Sequence, residues 1–306
     1  MLRKSNYRSG QLAAVGALLA GSTVWGLIWY PYRIIQGAGL SGTLATTLTY
    51  AVALVVGLLL FGSKLRGARV DGWLVAIALS AAGCNIGYVV AMVHGEVMRV
   101  LLLFYLAPLW TVLLARLLLH ENLNGFGGAV VGLSLAGAMI MLWHPGLGMP
   151  WPTQGAEWRG LAAGFLFALS NVLIRRAHHY SIELKSLAVF VGVVTVGVIY
   201  MALFEPMTLP AVSSVIWFLV VAIGLFLLVI NLVVQYGLVR VSANRAVVIF
   251  LFELVVAALA SWWLAGETMG PREWLGGILI VAASLLSARM EDAAPSAQAD
   301  RGSASR

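Results

Sequence analysis

The sequence predicts an all-α integral membrane protein, with ten transmembrane helices arranged as two inverted five-helix repeats. Three observations lead there: a composition that leaves no polar exterior, about ten apolar stretches of spanning length, and an internal similarity between the halves. Of 306 residues, 61% are hydrophobic and 10% charged, and the mean hydropathy is +0.94. A soluble domain carries roughly 25% charged residues, so most of this exterior has to face lipid. A hydrocarbon core about 30 Å thick takes about 20 apolar residues per helix. The loops between the stretches are too short to hold a soluble domain.

The spans fall at about residues 11–35, 42–62, 71–93, 97–119, 125–143, 158–177, 185–204, 213–238, 244–265 and 273–289. The first follows MLRKSNYRSG and runs through Trp25, Trp29 and Tyr30 without a small-residue cleavage site. It therefore reads as a retained helix and not a signal peptide. Gly39–Gly42 separates the first span from the second, and Pro145–Pro152 the fifth from the sixth. Glu205–Pro210 precedes the eighth span, and Gly270–Pro271 opens the tenth, where the missing N–H of proline costs nothing. The expected units are a first repeat over 1–145, a second over 146–290 and a polar, small-residue tail over 291–306, expected to be disordered.

Basic residues set the orientation, because Lys and Arg accumulate on the cytoplasmic side of short loops. With the N-terminus inside and ten spans, Arg33, Arg99, Arg159 and Arg272 fall outside, and the remaining 15 of the 19 Lys and Arg fall inside. Both termini are thus expected in the cytoplasm, with the protein in the inner (plasma) membrane. The net charge of +7 is spread without a basic cluster on any soluble unit, which excludes nucleic acid as a partner. The single cysteine, Cys84, excludes an intrachain disulfide and a CxxC site. His178 and His179 are adjacent, the other histidines are scattered, and no metal-ligand spacing occurs. No cofactor is expected. An enzyme would need a histidine cluster, paired carboxylates or a nucleophile beside a base, and a channel would need charged rings or a carbonyl filter. None of these occurs at useful spacing.

Residues 83–121 lie on 229–267 without a gap at an offset of 146. The polar coincidences carry most weight: Asn85 over Asn231, Arg99 over Arg245, and Glu121 over Glu267. At a different offset, Trp25-Gly26 lies over Phe167-Ala168, and Arg33 over Arg175. Five spans is an odd number, so the second repeat enters the membrane upside down. Inverted repeats are a hallmark of secondary transporters, which hold substrate near the midplane between the repeats.

The motif YLAPLWTVLLARLLLHENL (105–123), with a proline mid-helix and a terminal glutamate, resembles the fourth-helix signature of the drug/metabolite transporter superfamily, and of its EamA-type ten-helix exporters. FELVVAALASWWLAGETM (252–269) is similar to the same signature in the second repeat, and WGLIWYPYR (25–33) and SNVLIRR (170–176) resemble the opening segments. The sequence departs from that pattern at Leu254, where a proline is usual, and at Tyr50, where an arginine is common. The resemblance implies cytoplasmic ends, no cofactor and alternating access, with the third–fourth and eighth–ninth helix hairpins moving.

The candidate substrate-binding residues are Trp25, Asn85, Tyr88, Tyr105, Asn231, Gln235 and Glu253. An ionised carboxylate at the centre of a spanning helix costs at least about 2.5–3.5 kcal/mol, so Glu253 should face a cavity. It reads either as a proton or substrate-amine site or as a protonated carboxyl bonded to a neighbouring helix. The matched amides of Asn85 and Asn231 can donate and accept to a polar substrate, or tie helices together. Trp29, Tyr30 and Tyr236 are further aromatic candidates, with interfacial anchoring as the ordinary alternative. Arg33, Arg99 and Arg245 are expected to snorkel, with Glu96 pairing to Arg99; Glu121 and Glu267 are expected to be structural. Gly128-xxx-Gly132 and Gly160-xxx-Gly164 suit close helix approach, and as seams within one chain they fit a monomer. The expected function is export of small metabolites, amino acids first, with drug or toxicant efflux as the alternative. Protons are a candidate second ligand.

Overall fold

The computed structural model describes residues 2–63, 65, 70–143, 146, 151–205, 210–264, 266 and 268–290, with side chains from residue 10 onward. The expected disordered tail at 291–306 and the expected structural Glu267 lie outside the described residues. Among those residues the regular elements are helices: α1 (Leu2–Gly37), α2 (Gly42–Phe61), α3 (Gly72–His94), α4 (Val97–Phe104), α5 (Ala107–Leu114), α6 (Gly125–Leu142), α7 (Gly155–Arg176), α8 (Ile182–Phe204), α9 (Ser214–Leu238), α10 (Ala243–Phe250), α11 (Phe252–Leu264) and α12 (Pro271–Leu286). Short polar side chains start several of them. Ser41 accepts from Leu44 N at 3.1 Å, Asn124 from Gly127 N at 2.7 Å and Ser181 from Leu184 N at 3.2 Å, each satisfying an otherwise orphaned donor.

Eight stretches among the described residues are long and apolar enough to cross a membrane. Two of the ten expected spans fall short of that standard. The α7 helix carries Glu157 and Arg159 in its first turns and Arg175 and Arg176 in its last, and α12 has 16 residues. Both nevertheless belong to the bundle, α7 against α3, α4 and α5, and α12 along α6. The remaining long contacts run α1 on α9 and α11, α2 on α8 and α9, and α3 on α8. The helices of residues 2–142 thus bury their apolar faces mainly against helices of residues 155–286.

Two of the spanning rods are broken. The first breaks at Tyr105–Leu106, between α4 and α5. Pro108 explains it, since proline lacks an N–H and its ring clashes with the carbonyl four residues earlier, at Phe104. The second breaks at Leu251, 146 residues later, although Leu254 stands where a proline would. There the buried Ser22 hydroxyl of α1 donates to Ile249 O at 3.1 Å, the carbonyl that Glu253 N would take in a continuous helix. Leu254 N turns to Leu251 O at 3.1 Å instead, and the helix restarts at Phe252.

The two glycine pairs behave differently. A Cβ on Gly160 would meet Val100, and one on Gly164 would overlap the Phe104 backbone, so this pair is the seam of α7 on α4. A Cβ on Gly128 or Gly132 would meet open space, so that pair is no seam within the chain.

Candidate functional site

Helices α1, α3, α7 and α9, with α11, leave between them a cavity of about 670 Å³. Six of the seven candidate residues line it: Trp25 on α1, Asn85 and Tyr88 on α3, Asn231 and Gln235 on α9, and Glu253 on α11. At one end, the mouth, the lining includes exposed side chains where α1 finishes and α3 ends, among them Arg33, Gln36 and Val93. At the other end, the floor, it includes Gln235, Leu238 and Phe250, all buried. A smaller pocket of about 220 Å³ adjoins the mouth and shares Gln36, Gly42 and Val93 with it. There Glu205 accepts from Ser41 Oγ at 3.0 Å and Thr43 Oγ1 at 2.8 Å, which fastens the end of α8 to the start of α2.

Tyr105 is the exception among the seven. At the α4–α5 break its ring packs edge-on against Phe104, with centroids 5.3 Å apart, and its hydroxyl donates to Glu253 Oε1 at 3.0 Å. It stands behind the carboxylate and does not line the cavity. Of the other aromatic candidates, Trp29 lines the mouth half. Tyr30 is 37% exposed, and Tyr236 lies under the Arg240 guanidinium at 3.7 Å; neither lines the cavity.

The matched asparagines share the cavity but not their chemistry. Asn85 Nδ2 donates to Ala81 O at 2.8 Å and its Oδ1 accepts from Tyr50 at 2.9 Å, so its amide is committed to the wall. Tyr50, where an arginine would be common, supplies that bond and packs edge-on against Phe190. Asn231 Oδ1 has no hydrogen-bond partner, and neither does either amide atom of Gln235.

Charge-assisted bonds gather at the floor, three of them joining the two halves. Beyond α5 a π-helical turn (Ala115–Leu119) ends at His120 in the left-handed region, φ 58°, and delivers Glu121. Its Oε1 accepts from Arg175 Nε at 2.5 Å and its Oε2 from Ala243 N at 3.0 Å. Arg175 Nη1 also donates to Val241 O at 2.5 Å, and Arg176 donates to Leu118 O while lying over the Trp73 ring. The fully buried Lys185 donates to Ile174 O at 3.1 Å, beneath a residue that lines the cavity.

The arginine expectations are corrected in two places. Arg99 does not snorkel; its Nε and Nη2 donate to Glu157 at 2.6 and 3.1 Å, and Glu157, 1% exposed, also accepts from Thr153 N at 2.6 Å. Glu157 is a hydrogen-bonded partner because the α7–α4 seam brings residue 157 alongside, and Glu96 contributes an electrostatic attraction as expected. Arg245 is likewise buried, at 7% exposure. Sequence reasoning missed Glu157 and the Glu121–Arg175 pair because the partners are 58 and 54 residues apart. The usable signal was charge itself, at helix ends in a chain with few charged residues.

Residues 156–289 match the EamA-like transporter family, which bears out over the second half the resemblance drawn from the helix motifs. No curated protein matches the chain in sequence. One protein of known crystal structure superposes with a TM-score of 0.74 at 20% identity, over 91% of this chain and 97% of its own. It is one of 29 matching solved chains, and at that identity the likeness is one of fold. The resemblance to that family thus holds for the second half of the chain, and the eight spanning helices among the described residues make this a multi-pass membrane protein.

Proposed function

We propose that the protein is a secondary carrier that exports small metabolites, amino acids foremost, by alternating access. The two moving units are residues 1–145 and 146–290, each a five-helix repeat inverted relative to the other, with α7 and α12 completing ten spans. Both termini lie in the cytoplasm of a cell with this protein in its inner membrane. The observation that carries the reading is the cavity itself: it reaches exposed side chains at the mouth, ends on buried ones at the floor, and is walled by helices of both halves. A carrier caught open to one side has that form. The matched breaks at Tyr105–Leu106 and Leu251 support the repeat, since discontinuous helices flank the central sites of such carriers. The substrate site comprises Trp25, Asn85, Tyr88, Asn231, Gln235 and Glu253, with Tyr105 positioning the carboxylate.

Counterflow in liposomes reconstituted with the purified protein is the test. Preloaded metabolite should drive transient uphill uptake of its labelled form, which a channel cannot do, and a metabolite screen in that format identifies the substrate. Glu253→Gln keeps the side-chain shape and removes the ionisable group. Its counterflow should fall and lose the pH dependence of the native protein. A normally folded Glu253→Gln protein with native rate and pH profile would reduce Glu253 to a wall residue. Ohmic flux without counterflow would replace the carrier by a channel.

A further inference from the structure

Some polar groups along the cavity are already engaged by the protein. Tyr32 and Thr49 share a 2.6 Å hydroxyl bond, and Tyr50 and Asn85 satisfy each other and the α3 backbone. Two residues one turn apart on α9 differ. Asn231 Oδ1 and both amide atoms of Gln235 are buried without a partner, and Gln235 is 1% exposed. Buried amides in native proteins are almost always paired with protein, water or ligand. Exchanging the nitrogen and oxygen of Gln235 leaves the deficit in place, because both atoms are orphaned.

Glu253, on α11, accepts one bond, from Tyr105 to Oε1; among the described residues no donor meets Oε2. The other titratable groups facing it are Cys84 and Tyr88, neither of them cationic. The unmet side of the cavity therefore holds a carboxylate, two amide carbonyl oxygens and the Gln235 amide nitrogen, so acceptors outnumber donors three to one. Around them stand Trp25, Tyr88, Phe104, Phe167 and Phe250, whose ring faces attract cations. Aromatic faces do not distinguish a protonated amine from a quaternary ammonium, whereas carbonyl oxygens do, since of the two heads only the protonated amine carries an N–H to donate. Arg33 lines the mouth, seven residues beyond Gly26, whose Cβ would lie 2.7 Å from Glu253 O. That is about 10 Å along the α1 axis, which leaves an acidic group at the far end of the ligand a partner of its own.

We infer that the ligand is an amphiphilic organic cation whose head bears N–H groups, a primary ammonium, amidinium or guanidinium. Asn231 and Gln235 set its preference over the N-methylated quaternary analogue. The inference rests on the cavity being the substrate site. Glu253 supplies the charge term common to all cations, and the α9 amides supply the discrimination, because a quaternary head leaves them buried and unbonded.

Calorimetric titration of the purified full-length protein with three probes of one shape tests it: 2-phenylethylammonium, its N,N,N-trimethyl analogue and 2-phenylethanol. The native protein should bind the primary ammonium about tenfold or more tighter than either other probe, the usual scale of one charge-assisted hydrogen bond. Gln235→Leu and Asn231→Leu should each lower primary-ammonium affinity while leaving trimethyl affinity unchanged, and that retained binding doubles as the folding control. Glu253→Gln should weaken both cations. Equal binding of the two cations by the native protein, or a ratio unchanged in Gln235→Leu, would show that the amides hold water only and would overturn the inference. Binding of the alcohol alone would overturn the cation and leave the cavity as the site. Counterflow that survives blocking Cys84, which lines the cavity, with a bulky maleimide would instead remove the cavity reading itself.

Discussion

Asn85 and Asn231 occupy equivalent places in the sequence, and the difference between them lies in what stands opposite. Tyr50 reaches Asn85, and no hydrogen-bonding side chain reaches Asn231 Oδ1. Two residues aligned by sequence similarity can thus share a cavity and still differ in chemistry, because their neighbours differ, which sequence alone does not reveal. Asp71, outside the membrane at the start of α3, gives a simpler case. Its carboxylate accepts from Trp73 N at 3.0 Å and Leu74 N at 3.2 Å. The hydroxyl of Tyr180 and these amides hold its carboxyl below the ordinary 3.8. A lowered folded value means that the stabilisation is present above the unfolded value near 3.8 and is lost as pH falls through the folded one. Asp71→Ala should therefore lower Tm in detergent at neutral pH, and the gap to the native protein should close as the medium is acidified below about pH 4. A gap that stays constant down to pH 3 would assign Asp71 no ionic role.

At the scale of elements, the helices were legible and one of their two interruptions was not. Runs of apolar residues near 20 long announce spans whatever packs beside them, so the boundaries of α2, α3, α6 and α9 lie within a residue or two of expectation. The α7 helix blurred the criterion because charges at both of its ends serve partners on other elements, Glu157 with Arg99 and Arg175 with Glu121. The α4–α5 break has Pro108 as a visible cause. The α10–α11 break has none in its own segment; what coincides with it is the hydroxyl of Ser22, 227 residues away, on the Ile249 carbonyl. The single proton of Ser22 is shared between Leu18 O in its own helix, at 3.0 Å, and Ile249 O, at 3.1 Å. Ser22→Ala should cost about 1 kcal/mol, the usual net worth of one hydrogen bond, read as a lowered Tm. It should also restore the Glu253 N to Ile249 O bond, read as slowed amide exchange at residue 253. Fast exchange there in Ser22→Ala would show that the break is set by other packing.

For the whole molecule, the open mouth and the closed floor are two ends of one state, and the bonds at the floor join residues 115–121 to helices of the other half. Glu121 is the joint: it holds the end of α7 through Arg175 and the first amide of α10 through Ala243. Both partners of the ion pair keep some contact with water, at 25% and 17% exposure, so its worth lies nearer the exposed than the buried limit, about 1 kcal/mol. The backbone bond to Ala243 adds a charge-assisted term of about 1.5–3 kcal/mol at most. Together these exceed the 1.4 kcal/mol that shifts a two-state population tenfold. Cys84, the single cysteine of the chain, lines the cavity at 7% exposure and serves as a native reporter of which end is open. In the native protein, a membrane-impermeant maleimide should reach it from the mouth side of oriented vesicles and not from the floor side. Glu121→Ala should release α7 and α10 together and raise floor-side labelling about tenfold, while Glu121→Gln, which can still accept from Ala243 N, should raise it less. Arg175→Lys keeps the charge but loses the bond to Val241 O, and should fall between the native protein and Glu121→Ala. If floor-side labelling stays at the native level in Glu121→Ala while Tm falls, the joint braces the bundle without gating it.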